Sequence, residues 1–177
     1  MSEPFFTIGH STRSIDEFLG LLRENCIAQL VDVRRLPGSS RYPQFDQDAL
    51  SASLDAAGIG YRRAEALTGR RPVSRTVPFA VNAWWQNRSF HNYADHALSS
   101  DFAAALAELR EQGSSSRTVV MCSEAVWWRC HRRIIADHLL ARGDDVRHVL
   151  DSQHVDEARL SDGALIREDG NVTYPAR

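Results

Sequence analysis

Thr118 to Arg133 reads TVVMCSEAVWWRCHRR, and this stretch decides the fold. Val119, Val120 and Met121 form a short β-branched, apolar run behind a polar loop, which predicts a buried strand ending at Cys122. From Trp127 to Ala141 the pattern changes to helical spacing. Ile134, Ile135, His138, Leu139 and Leu140 supply its apolar face, and Gly143 a stop. A strand, a polar turn holding Cys122 and Glu124, and a helix opening near Cys130 and His131 follow one another directly.

The same alternation extends in both directions. Phe5 to Gly9 predicts a first strand, and Ser14 with Glu17 has the form of a capping box at the head of a first helix. Cys26, just past that helix, reads as core filler, since free cysteine buries readily. Ile27 to Val33 predicts a second buried strand, followed by a proline-containing loop from Leu36 to Pro43. Asp46 caps a second helix that Gly58 ends, and Ile59 to Ala64 predicts a third strand. Residues 65–92 show no period and read as a long loop or lid, while Tyr93 to Gln112 is helical with Gly113 as its stop. Val146 to Leu150 gives a fifth strand. Residues 151–177 form a C-terminal extension with a hairpin expected around Asp169-Gly170. Strands alternating with helices require crossover connections, so the expected fold is α/β: a single domain with a mostly parallel sheet and helices on both faces.

Composition excludes several functions. The 177 residues carry a net charge of -2, which is not the global basic excess of a strong nucleic-acid binder. All 21 basic residues are arginine, so lysine Schiff bases and the phosphate-loop lysine are ruled out. Three cysteines, with no signal-peptide pattern and no membrane-length apolar run, point to a reducing cytoplasm rather than to structural disulfides.

In a parallel α/β sheet, ligands bind beyond the carboxyl ends of the strands. That rule brings His10 and Ser11, Asp32 and Arg34, and Cys122 and Glu124 to one rim. Cys122 is the candidate nucleophile, because a thiol ahead of a helix N-terminus and near arginines is biased toward thiolate. Cys130 is the alternative nucleophile or a resolving thiol, His131 or His10 a general base, and Glu124 an orienting group or substrate contact. Cys122, Cys130 and His131 are also metal-ligand types, although neighbouring helical residues point about 100° apart. Two motifs do not match. A phosphatase loop needs an arginine where Trp128 stands, and seven residues separate Cys122 from Cys130 where a thioredoxin-like motif has two.

Thr7-Ile8-Gly9-His10-Ser11, Asp32-Val33-Arg34 with Pro37, Ser40, Pro43 and Phe45, Leu67 with Gly69-Arg70-Arg71, Tyr93-Ala94-Asp95, and C-x-E-x5-C-H-R from Cys122 to Arg132 occur in this order. Together they resemble the family catalogued as domain of unknown function 488, from about Phe6 to Leu150. Thr68 replaces a glycine usual in that family, and Gly38 a commonly basic residue. The resemblance implies a shared site in an α/β domain and brings no reaction with it.

The expected function is a cytoplasmic cysteine-dependent hydrolase or transferase acting on an anionic small molecule or nucleic acid. Arg34, Arg41, Arg70, Arg71 and Arg132 are the expected anion contacts, with Ser11, Asp32 and Ser40 as further substrate-binding residues. The alternative is a binding module without catalysis. In it Arg34, Arg35, Arg41 and the cluster Arg62, Arg63, Arg70, Arg71 and Arg75 grip phosphates, and Trp84, Trp85, Trp127 and Trp128 offer stacking surfaces. The residues leave the cofactor and the oligomeric state open.

Overall fold

A computed structural model describes residues 3–177; Met1 and Ser2 lie outside the described residues. Five parallel strands and one antiparallel edge strand form a sheet in the order β3-β2-β4-β1-β5-β6. These are β1 (Phe5–Gly9), β2 (Gln29–Asp32), β3 (Gly60–Arg63), β4 (Thr118–Cys122), β5 (Val146–Val149) and β6 (Val155–Glu157). Every residue of β1 and β4 is buried, as their continuous apolar runs require of strands covered on both faces.

Helices α1 (Ile15–Glu24) and α2 (Gln47–Ala56) lie on one face, where Phe18, Leu22, Leu50 and Leu54 pack on Ile8, Leu30 and Met121. Helices α3 (Arg88–His96), α4 (Ser100–Ser115) and α5 (Arg132–Ala141) lie on the other, where Tyr93, Leu106 and Ile135 pack on Val31 and Val120. β1 and β2 therefore lead to helices on one face, and β4, which lies between them, leads to the opposite face. This is the strand reversal at which a crevice opens.

Several local expectations are corrected. The helix expected from Trp127 breaks at Cys130: Trp127–Arg129 is a 3-10 turn, Cys130 is extended (φ -131°, ψ 148°), and α5 begins at Arg132. The helix expected over residues 93–112 is two helices, because Ser99 caps a new one by accepting from Phe102 N at 3.2 Å. Gly113 lies inside α4, and a Cβ there would stand 2.3 Å from the Phe5 ring, so it provides close approach rather than a stop. Asp46 holds the N-cap position of α2 without capping it, since its carboxylate accepts from Ser39 N instead. Cys26 is exposed, carried outward by a left-handed turn (φ 56°).

The long loop is irregular from Ala64 to Asn87 apart from the 3-10 turns Glu65–Leu67 and Phe79–Asn82. The C-terminal extension contributes β6 and the expected hairpin, in which β7 (Leu165–Ile166) pairs with β8 (Val172–Thr173). Tyr174, just beyond β8, is fully buried and donates to Asp137 of α5 at 2.7 Å. The extension is thus tied to the helix that follows the thiol turn. None of the described helices is long and apolar enough to cross a membrane.

Candidate functional site

The ends of β1, β2 and β4 meet because their backbones are stitched together past the sheet. His10 N donates to Cys122 O at 2.9 Å, Ser11 N to Ser123 O at 3.1 Å, and Val33 N to Met121 O at 2.9 Å. Gly9 permits this approach, since a Cβ at that position would lie 1.8 Å from the Glu124 carbonyl oxygen. Two adjoining clefts open over the seam.

The larger cleft, about 710 Å³, has Cys122, Cys130, His131 and Tyr93 among its lining residues. Arg34, Arg35 and Leu36 line it from the end of β2, Gly69 and Arg70 from the long loop, Asn87, Ser89 and Phe90 from the start of α3, and Ser123, Glu124 and Arg129 from the thiol turn. Arg35, Arg70 and Arg129 are exposed, and among the described residues none of them pairs with a carboxylate. Glu124 is the only acidic residue in the lining. The cleft is therefore suited to an anion.

The two thiols touch, with Cys122 Sγ 2.7 Å from Cys130 Sγ. Cys130 also receives the backbone N–H of Arg132 at 3.5 Å and its Nε at 3.4 Å, and faces His131 Nδ1 at 3.6 Å. His131 Nε2 lies 3.0 Å from the Val33 carbonyl, which only accepts, so Nε2 carries a proton. In the neutral ring this leaves the Nδ1 lone pair facing the sulfur. Gly69 makes room for that ring, because a Cβ there would stand 2.7 Å from Nδ1. Burial works to raise the Cys130 thiol, but the hydrogen bond from Cys122, His131 and the Arg132 guanidinium outweigh it and hold Cys130 well below the ordinary thiol range. Burial, together with the bond to Cys130 and that sulfur's charge, pushes Cys122 well up. The dipole argument made for Cys122 thus applies to Cys130, which lies two residues before the first residue of α5.

Arg132 explains the arrangement. It is 1% exposed, and among the described residues it has no carboxylate partner. Its NH1 donates to Thr7 Oγ1 at 3.1 Å, its NH2 to the Glu124 carbonyl at 2.6 Å, and its Nε to Cys130. Thr7 in turn meets His148 Nδ1 at 2.6 Å, and burial lowers that imidazole to about 3, leaving it neutral. An unpaired buried cation is costly. The Cys130 sulfur, with Cys122 beside it, is the ionisable partner that can balance this guanidinium.

The smaller cleft, about 400 Å³, is lined by His10, Ser11 and Tyr42 and shares Arg34, Leu36, Ser123 and Glu124 with the larger one. His10 stacks on Phe45 and bonds the Ser11 carbonyl through Nδ1 at 2.9 Å, and burial lowers it to about 4. Its ring makes no hydrogen bond to either thiol. Arg34 is gripped by Asp32 at 2.8 Å and donates to the Phe45 carbonyl at 2.6 Å. Asp32 is fully buried, also accepts from Tyr61 OH at 2.6 Å and lines neither cleft, so it positions Arg34.

Other expected contacts are placed elsewhere. Arg71 locks its own turn by donating to Thr68 and Glu65, and Ser40 and Arg41 are exposed and line neither cleft. Arg62 bonds Gln112, and Arg63 bonds the carbonyls of Arg34 and Arg35, so the arginine cluster is divided among structural contacts. Trp127 stacks on His148, and Trp84 and Trp85 pack with Tyr174, leaving Trp128 as the exposed tryptophan, at 43%. Among the described residues, no three His, Cys, Asp or Glu side chains are grouped to hold a metal ion. Arg129 and the Asn87–Phe90 segment line the cleft but were not among the expected site residues. The register of Arg129 with the thiols depends on the interruption of the helix at Cys130, which the residue pattern conceals.

The family model described as domain of unknown function DUF488 matches residues 14–139. That span contains the thiol turn and α5 as far as Leu139, and begins three residues after Ser11. Neither the curated proteins nor the solved structures include a match.

Proposed function

Because the chain belongs to the DUF488 family, whose description assigns no activity, we propose a reading from the site itself: a cysteine-dependent enzyme acting on an anionic small molecule, with Cys130 as nucleophile. The observation that carries it is Arg132, a fully buried guanidinium facing a sulfur where a carboxylate would be expected. His131 Nδ1 takes the thiol proton, with its tautomer fixed by the Val33 carbonyl. Arg35, Arg70 and Arg129 bind the anion, and Glu124 at the rim orients it. A small molecule is preferred to nucleic acid because the free arginines gather around one cleft while Arg62, Arg63 and Arg71 are held in internal contacts. Thiols that work in the reduced state suit a reducing compartment such as the cytoplasm.

The test is alkylation by iodoacetamide as a function of pH, followed separately at each cysteine by mass spectrometry. Cys130 should react well below the ordinary thiol midpoint of about 8.5, while Cys122 stays slow. Ordinary midpoints at both residues would remove the nucleophile.

A further inference from the structure

A nucleophilic cysteine that forms an ester-like intermediate needs water beside it, yet Cys130 has a second thiol in contact at 2.7 Å. An electrophile attached to Cys130 meets Cys122 before it meets water, at the high effective concentration of a group already in position. Both thiols are free, and a disulfide of about 2.05 Å would require the sulfurs to close by less than an ångström or so. Cys122 keeps its proton while Cys130 gives its own up, which divides the pair into an attacking and a resolving thiol.

Resting on the nucleophile reading above, we infer that the site is a dithiol reductant of anionic disulfides. The Cys130 thiolate attacks one sulfur of a disulfide bound by Arg35, Arg70 and Arg129. A Cys130–substrate disulfide forms, the substrate S–S bond breaks, and the first half leaves as a thiolate that takes the proton His131 had accepted. Cys122 then attacks Cys130 Sγ, closing the Cys122–Cys130 bond. The second half leaves with the Cys122 proton. The protein gives up two electrons and two protons, and the substrate disulfide becomes two thiols. A second thiol reductant from solution resets the pair.

The test uses the full chain with Cys26→Ser, because Cys26 is an exposed thiol that would react on its own. The reduced protein is mixed with oxidised glutathione, an anionic disulfide, or with cystamine, a cationic one. It is then quenched with acid and mapped by mass spectrometry. Oxidised glutathione should consume both Cys122 and Cys130 without leaving glutathione on the protein, and dithiothreitol should restore them. Cys122→Ser, or Cys122→Ala if the serine variant does not fold, should retain one glutathione on Cys130. Cystamine should react at least about tenfold more slowly at low salt, an advantage that salt erases.

Glutathione persisting on Cys130 while Cys122 is present would overturn the dithiol inference and leave the nucleophile standing. So would a Cys130 that alkylates at low pH yet ignores both disulfides. Equal rates with the two disulfides would overturn the anionic substrate class. A Cys130 inert to alkylation as well would bring down both readings.

Discussion

Arg34 and Arg132 are both buried guanidiniums, 5% and 1% exposed, set on opposite sides of the β4 seam. Each also has a neutral, buried histidine near it: His10 lies 3.5 Å from Arg34, and His148 stands behind Arg132 across Thr7. They differ in what neutralises them. Arg34 is clamped by the carboxylate of Asp32, whereas Arg132 faces the sulfur of Cys130. A carboxylate is a permanent counter-ion that serves structure. A thiolate is also a nucleophile, so on the proposed reading the same electrostatic need gives a reactive group on one side of the seam and a scaffold on the other.

Acid should act on both sides at once, and it gives the largest effect. The folded state holds His10 at about 4 and His148 at about 3, below the unfolded value of about 6.5. A depressed histidine contributes stability that is present above the unfolded value and lost as pH falls toward the folded one. Urea unfolding should therefore show stability falling from about pH 6.5 downward, at roughly 1.4 kcal/mol per pH unit for each such histidine. His148→Phe should flatten that slope.

Asp32→Ala should come next, costing about 3–5 kcal/mol because it strands Arg34, with no change in the alkylation midpoint of Cys130. Cys130→Ala should cost about 2 kcal/mol, since Thr7 and the Glu124 carbonyl still accept from Arg132. The pH signature separates it from Asp32→Ala. A thiol held low stabilises the fold above its unfolded midpoint and loses that contribution as pH falls through the folded one, so the gap between wild type and Cys130→Ala should narrow on acidification. A gap independent of pH would mean that Arg132 has no thiolate partner. Tyr61→Phe, which removes one donor from Asp32, should cost only about 1 kcal/mol by chemical denaturation and leave alkylation unchanged.

The α/β fold and the meeting of three strand ends were legible because β1, β2 and β4 are short apolar runs, each followed by a polar turn. That these ends share one edge follows from parallel-sheet geometry, while the adjacency of the three strands depends on a strand order the residues leave open. What the residues concealed was local. Trp127 to Ala141 keeps a helical apolar period through Cys130, so nothing in the pattern marks the extended residue that turns this thiol toward Cys122. Ser99 was a readable cap, but the apolar spacing across it reads continuously. β6 has only three residues, two of them exposed, and gives no alternation to detect. The roles of Asp32 and Arg71 were hidden for another reason. A charge followed along the chain shows its type, while its partner depends on packing, so residues that brace the site look the same as residues that face a ligand.

The position of β4 in the sheet has a kinetic consequence. β1 and β2 are separated by one strand, and that strand is residues 118–122, made long after both. As the chain is synthesised, β2 can pair with β3, but the slot between β1 and β2 must wait for β4. Closing that slot joins segments about a hundred residues apart, the kind of distant contact that slows folding. The pairing that joins β1 to β2 is also the one that brings Cys122 to its end. The three-stranded rim beside the thiols therefore assembles only once β4 has filled that slot, which ties the cleft to the closing of the sheet's centre.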